Sequence, residues 1–297
     1  MKYTFTRASA TLNALNRALT AFPEPQRLPN IEFIFSSHDE NPGPEPVWVY
    51  SKRDQDTNVW LMPDFGYWSW PETNVGAYRD VRRRIAAVDD ELHFGDKKME
   101  LLWRGNIDTA PELRGKLFEA TKDKDWASVR EIHWGDEKDV ERNFVPIEDH
   151  CRYMFLAHVE GRSYSGRGKY LQNCRSVVVA HELHWREAHH AVLVHEGPEA
   201  NYVRVNRNFT DLEEKIQGLI ANPAEAERIA ENGVRMFRDR YLTPAAEACY
   251  WRELVRAYGG MCNFEPVLEM MDENSGKMAR RGVPFESFTL NGELATP

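Results

Sequence analysis

Residues 161–170, GRSYSGRGKY, carry two serines, two arginines and a lysine among three glycines. The apolar stretch Tyr153 to Val159 before them reads as a strand, and a short helix follows, so the loop joins a strand end to a helix start. Such a junction presents unpaired backbone N–H groups and a positive dipole end, which suit an anion. Ser163 and Ser165 can donate hydroxyl hydrogen bonds, Gly161, Gly166 and Gly168 let the backbone approach a ligand, and Arg167 with Lys169 can neutralise charge. A diphosphate meets all of these features. The loop is neither a Walker loop nor a dinucleotide fingerprint, because GxxxxGK[ST] and GxGxxG are both absent. The same composition would also serve a solvated surface loop. A second cluster favours the ligand: Trp103-Arg104-Gly105-Asn106 ends a strand, and Arg114 lies near the next helix start.

Two aspartates also stand just after strands. Asp39, in SSHDEN, and Asp64, after Asn58 to Met62, sit where a strand runs into a polar turn, a site geometry, although an Asp in such a turn also caps its own backbone. The run HELHWREAHH brings His181, His184, His189 and His190 together, with His195 beyond. It is not HExxH, since His184 comes one residue too early to share a helical face with His181 in the zinc-protease manner. A polar segment after a strand is the simpler reading, with a metal hydrolase as the alternative.

The elements that must position these residues follow from periodicity. Residues 1–20 read as an amphipathic helix with Leu12, Leu15 and Leu19 on one side, rather than the apolar core of a signal peptide. Ile31–Phe35, Val47–Tyr50 and Asn58–Met62 read as strands and residues 76–90 as a helix. Past Lys97 come a strand, a helix entered through Asp108, Thr109 and Pro111, the Tyr153 strand and the loop. Strands Ser176–Ala180 and Tyr202–Val205 follow, then a helix with a capping box from Thr210 to Glu213. Helices over 223–241 and 244–258 close the pattern, and the tail after Gly260 has none. Strands alternating with helices predict an α/β fold with parallel sheets.

A net charge of -9 excludes a general nucleic-acid partner, so any anion site is local. No apolar run is long enough for a membrane span. The four cysteines, Cys151, Cys174, Cys249 and Cys262, have no CxxC spacing and leave the redox state open.

Taken together, LLWRGNIDTAPELRGKL, DHCRYMFLAHVEGRSYSGRGKYLQNCRSVVV, NYVRVNRNFTDLEEKI and CYWRELVRAY resemble glycosyltransferase family 90, the capsule-associated and Rumi-type protein O-glucosyltransferases. The resemblance runs in order from about residue 31 to 258. It implies a GT-B-like architecture of two Rossmann-like halves with parallel sheets facing a central cleft. Residues 1–94 would form the acceptor-side half and 95–243 the donor half, with 244–297 returning to the first half and then trailing as a tail. It implies an inverting glycosyltransferase that moves glucose or xylose from a UDP-sugar to a hydroxyl of a glycan or protein, without a metal or other cofactor. Asp39 would be the base, with Asp64 its rival. Asn106, Arg114 and the loop Arg162, Ser163, Tyr164, Ser165, Gly166 and Arg167 would contact the donor, with Lys169 as helper. Trp68 and Trp70, in the run Tyr67 to Pro71, would form a platform beside the sugars, unless they are core packing. The family also implies the secretory pathway, although the sequence as given shows neither signal nor anchor. A non-catalytic nucleotide-sugar or glycan binder of the same fold is the second reading.

Overall fold

The computed structural model describes residues 2–40, 46–70, 75–273 and 275–291. Pro71, the end of the SSHDENPGP turn and the last residues of the tail lie outside them. Helix α1 (Lys2–Thr20) precedes three short strands, β1 (Ile34–Phe35), β2 (Val47–Val49) and β3 (Val59–Leu61), which form a parallel sheet in that order. The first strand is shorter than the sequence predicts. Ile31 and Phe33 pack against the core beneath it instead of pairing, and Phe33 stacks on Trp48 at 3.9 Å. A small antiparallel pair, β4 (Ser69–Trp70) and β5 (Gly76–Ala77), leads into α2 (Tyr78–Asp90).

The second sheet holds β6 (Lys98–Gly105), β7 (Ala127–Glu131), β8 (Tyr153–His158), β9 (Val177–His181) and β10 (Val203–Val205), with α3 (Pro111–Thr121) and α4 (Glu137–Asn143) between the earlier strands and the short α5 (Gly168–Leu171) between β8 and β9. Its order is β10-β9-β8-β6-β7, and every pairing is parallel. β8 and β9 are buried at every position, as continuous apolar runs such as Val177-Val178-Val179 must be when helices cover both faces. One face packs under α3, α6 (Leu212–Ala221) and α7 (Pro223–Gly233) through Leu101, Trp103, Leu117, Phe155 and Ile216.

The other face shifts the expected division at residue 94. Tyr78, Val81, Ile85 and Val88 of α2, on one stripe at helical spacing, pack with Leu102, Leu156, Tyr170 and Val178 of this sheet. By packing, α2 belongs with the second half. From α7 the chain continues as a π-helical segment, Val234–Tyr241, into α8 (Pro244–Gly259). α8 crosses to the first half, where Trp251, Leu254 and Val255 share a core with Trp48, Tyr50 and Ala10. The tail is not patternless: β11 (Glu269–Met271) and β12 (Met278–Arg280) pair as an antiparallel hairpin before α9 (Phe285–Asn291).

The expected capping box is not formed. Asp211 is the N-cap of α6 without a side-chain cap bond, Thr210 donates its hydroxyl to Asn208, and Asp211 accepts from the Asn206 N–H. Cys151 and Cys174 form a disulfide that ties the turn before β8 to the segment after α5, while Cys249 and Cys262 are free. Among the described residues no helix is long and apolar enough to cross a membrane.

Candidate functional site

The chain leaves β6 toward β7 on one side and returns to β8 on the other, so the carboxyl ends of β6 and β8 flank the point where strand order reverses. Open parallel sheets bind ligands in the crevice at that point. Here it is a pocket of 220 Å³ whose lining includes Trp70, Arg104, Asn106, Arg114, Ser165 and Arg167. Residues far apart in sequence therefore meet: Asn106 and Arg114 from the end of β6 and from α3, Ser165 and Arg167 from the loop after β8.

The three arginines have no carboxylate among them. Arg104 donates to the carbonyls of Trp103, Asn143 and Ser128 and to the Ser128 hydroxyl. Arg114 donates to the carbonyls of Glu160 and Asn106, and Arg167 to the carbonyl of Arg104. Among the described residues none of the three makes an ion pair. Burial lowers all three: Arg114 is pushed down to about 10, and Arg167 to about 9 by burial and then by Arg114 and Arg104. Arg114 and Arg167 both lie over the Trp103 ring, at 5.6 and 5.8 Å. Desolvated, mutually repelling cations without a carboxylate beside them suit an anion. The Asn106 side-chain oxygen is also buried without a partner. A larger cleft of 540 Å³ along β10 has five carboxylates, Glu182, Glu196, Asp211, Glu214 and Glu225, and so carries the wrong sign for a phosphate.

The pocket lining also includes the apolar Ile132, Trp134, Phe144 and Val145, and His150. Trp134 and Phe144 meet edge to face at 6.3 Å and are both exposed. His150 is pushed down to about 3, by burial first and by Arg167 next, and stays neutral. The sequence reading did not select these residues. Arg104 lay inside a flagged cluster and Trp134 in a charged stretch that does not otherwise call for an aromatic, but nothing local marks His150.

Other expected site residues lie elsewhere. Arg162 points outward, and Ser163 is buried with its hydroxyl unpartnered, off the pocket. Tyr164 is buried in the core of the first half, 6.4 Å from the Tyr50 ring. Gly166 lies beside the Trp70 ring, where an added Cβ would sit 3.4 Å away. Lys169 is fully buried, donating to Asp64 Oδ2 at 2.7 Å and to the Gly166 carbonyl at 2.8 Å, with Tyr170 as the nearest of three ring faces at 4.9 Å. It bridges the two halves instead of facing the pocket. Trp68 lies outside the pocket with Arg17 over its ring at 5.1 Å, whereas Trp70 lines it.

The two aspartates differ. Asp64 is buried, with Oδ1 accepting from the Gly66 N–H and Oδ2 from Lys169. The Asp39 side chain is 39% exposed and meets Arg7 at 2.6 Å. Both carboxylates act electrostatically on the buried Tyr50 phenol, which burial pushes far up.

Of the histidines, His181 accepts the Glu160 N–H inside the sheet. His158, Glu187 and His190 bring ligand-type atoms within 4.8 Å of one another. Within that cluster His190 Nδ1 accepts the Glu187 N–H at 3.2 Å, and Nε2 lies 3.2 Å from Glu187 Oε2.

Residues 21–280 match the family model described as Glycosyl transferase family 90. The chain is similar to an O-glucosyltransferase rumi homolog of Aedes aegypti, 28% identical over 274 residues, covering 82% of this chain and 64% of that protein. Protein O-glucosyltransferase 1 of Homo sapiens is 26% identical over 263 residues, covering 80% and 64%. The chain thus spans 64% of the length of both relatives. Among solved structures, Anabaena HepE in complex with UDP and glucose aligns with a TM-score of 0.43 at 10% identity, over 73% of this chain and 63% of that one. With one family model matched from the end of α1 to the tail hairpin, across both sheets and every residue of the arginine pocket, this protein belongs to glycosyl transferase family 90.

Proposed function

We propose that this chain is an inverting glycosyltransferase that moves glucose or xylose from UDP to a hydroxyl of a glycan or protein. The observation that carries the reading is the trio Arg104, Arg114 and Arg167, desolvated at the strand-order reversal with no carboxylate to neutralise it. Its relatives bear the name O-glucosyltransferase, which makes glucose the first donor sugar to try. The diphosphate would lie on the arginines and Ser165, and the uracil ring against Trp134 and Phe144. Trp70, which also lines the pocket, would flank the sugar.

In the reaction, the acceptor hydroxyl oxygen bonds to the anomeric carbon from the face opposite UDP as the bond from that carbon to the phosphate oxygen breaks. Asp39 takes the hydroxyl proton, and UDP leaves with the electron pair. Fixed guanidinium charge stabilises the departing diphosphate, so the scheme requires no metal. Asp39 fits the base role better than Asp64, because both Asp64 oxygens are already bonded inside the core.

Calorimetric titration with UDP, with and without EDTA, tests the donor half of this reading. UDP binds in either buffer, and Arg167→Ala weakens it by about 10- to 100-fold, the cost of one charged hydrogen-bonding partner. Asp39→Asn keeps UDP affinity and loses transfer from UDP-glucose. Binding that requires a metal refutes the metal-free scheme, and tight UDP binding without turnover toward any acceptor identifies a binding protein.

A further inference from the structure

Asp39, read above as the base, is held by a residue from outside the sheet. Helix α1 brings Arg7 to it: Arg7 Nη1 donates to Asp39 Oδ1 at 2.6 Å and, at 3.5 Å, to the carbonyl of Ser37. Arg7 is 4% exposed, whereas the Asp39 side chain is 39% exposed. The guanidinium lies over the Phe65 ring at 4.5 Å. Phe65 in turn meets Tyr50 and Trp70 edge to face, each at 5.6 Å, and Trp70 lines the donor pocket. The cation is therefore fixed by burial, by an aromatic face and by two oxygens on the segment that carries the aspartate. A guanidinium pinned in this way dictates where a part-exposed carboxylate points. Among the described residues Asp39 Oδ2 accepts no hydrogen bond, which leaves that oxygen to take a proton.

We infer that Arg7 is a positioning residue for sugar transfer. It grips Oδ1 of Asp39 and so aims Oδ2 at the attacking hydroxyl, making α1 part of the acceptor side. The inference rests on Asp39 being the base. Arg7 itself does not touch the donor, so its loss acts on turnover and leaves donor binding alone. Helix packing alone would move stability and binding together.

The test uses UDP-glucose with water as acceptor, read as UDP release, on the wild type and on Arg7→Ala, Arg7→Lys and Asp39→Asn. The expected result is a kcat lowered by about tenfold or more in Arg7→Ala, the scale on which a misplaced catalytic group acts. Its KM for UDP-glucose and its affinity for UDP stay within about twofold of the wild type, well under the tenfold worth 1.4 kcal/mol. Added guanidinium ion restores part of the lost rate. Arg7→Lys, which keeps charge without the planar fork, falls between, and it carries the test if Arg7→Ala does not fold. A wild-type kcat in Arg7→Ala, or a fall in kcat matched by lost UDP affinity and not rescued by guanidinium, overturns the inference. If Asp39→Asn releases UDP as fast as the wild type, the base assignment fails and takes this inference with it. If Asp39→Asn is inactive while Arg7→Ala is unimpaired, only the role of Arg7 falls.

Discussion

Gly168 sits where the loop after β8 becomes α5, and its missing side chain is filled by a neighbour. A Cβ there would lie 2.6 Å from Cε1 of His158, a ring that is 5% exposed at the end of β8 and has no room to withdraw. The adjacent Arg167 carries the guanidinium of the pocket. Gly168→Ala therefore strains the loop by about 1–3 kcal/mol, the range for overpacked cores, and displaces Arg167. The expected outcome is a lower urea midpoint together with UDP affinity reduced by roughly tenfold. A variant that binds UDP like the wild type would show that the loop tolerates the shift. The spacing of glycines in GRSYSGRGKY was legible as a close backbone approach, but which glycine faces a ligand and which faces a histidine was not. Gly168 meets a ring that β8 supplies, and no local pattern encodes that encounter.

Helices α1 and α8 meet around a buried acid. The Glu247 side chain is 1% exposed, pairs with Arg17 of α1 and accepts from Trp251 Nε1 at 2.9 Å. Burial pushes its carboxyl up to about 7 from an ordinary 4.5, against the opposing pull of Arg17 and Trp251. Between those two values the unfolded chain has released the proton and the folded chain still holds it. Stability contributed by this group is thus present below 4.5, falls as pH rises toward 7 and is level above. Within that window one proton separates the two states, and the slope approaches roughly 1.4 kcal/mol for each step of pH. Glu247→Gln removes that slope. Its urea midpoint relative to the wild type is expected to rise between about pH 5 and about pH 8, and a constant difference would refute the buried-acid account. The amphipathic pattern of residues 244–258 predicted the helix. That Glu247 lies on its buried stripe rather than its wet face follows from α1 packing there.

The two halves are joined by the ion pair of Lys169 with Asp64, each about 1–2% exposed. Such a pair contributes little net stability against an apolar substitute, but breaking one side strands a buried charge. Lys169→Met is expected to cost about 3–5 kcal/mol, read from urea denaturation. Adding Asp64→Asn, which keeps the bond to the Gly66 N–H, should recover most of it. UDP affinity measured on the double variant should stay near the wild type, in contrast to Arg167→Ala. A large loss of affinity would return Lys169 to the diphosphate.

Local chemistry made much of this protein legible from its sequence. Unbroken apolar runs such as Val177-Val178-Val179 can only be strands buried on both faces, helical stripes declare their inner sides, and polar, glycine-rich turns at strand ends mark where a ligand approaches. Those signals, with the motifs around Asn106 and Arg167, sufficed for the parallel α/β design and the family. Tertiary structure decided the rest. Strand order put β6 beside β8 and so gathered Arg104, Arg114 and Arg167 with His150 in one pocket, packing moved α2 to the second half, and the packing of α1 brought Arg7 to Asp39. Each is a pairing across long sequence separation, selected by how whole faces bury, and a side chain's type and neighbours in sequence carry no record of the partner it will meet.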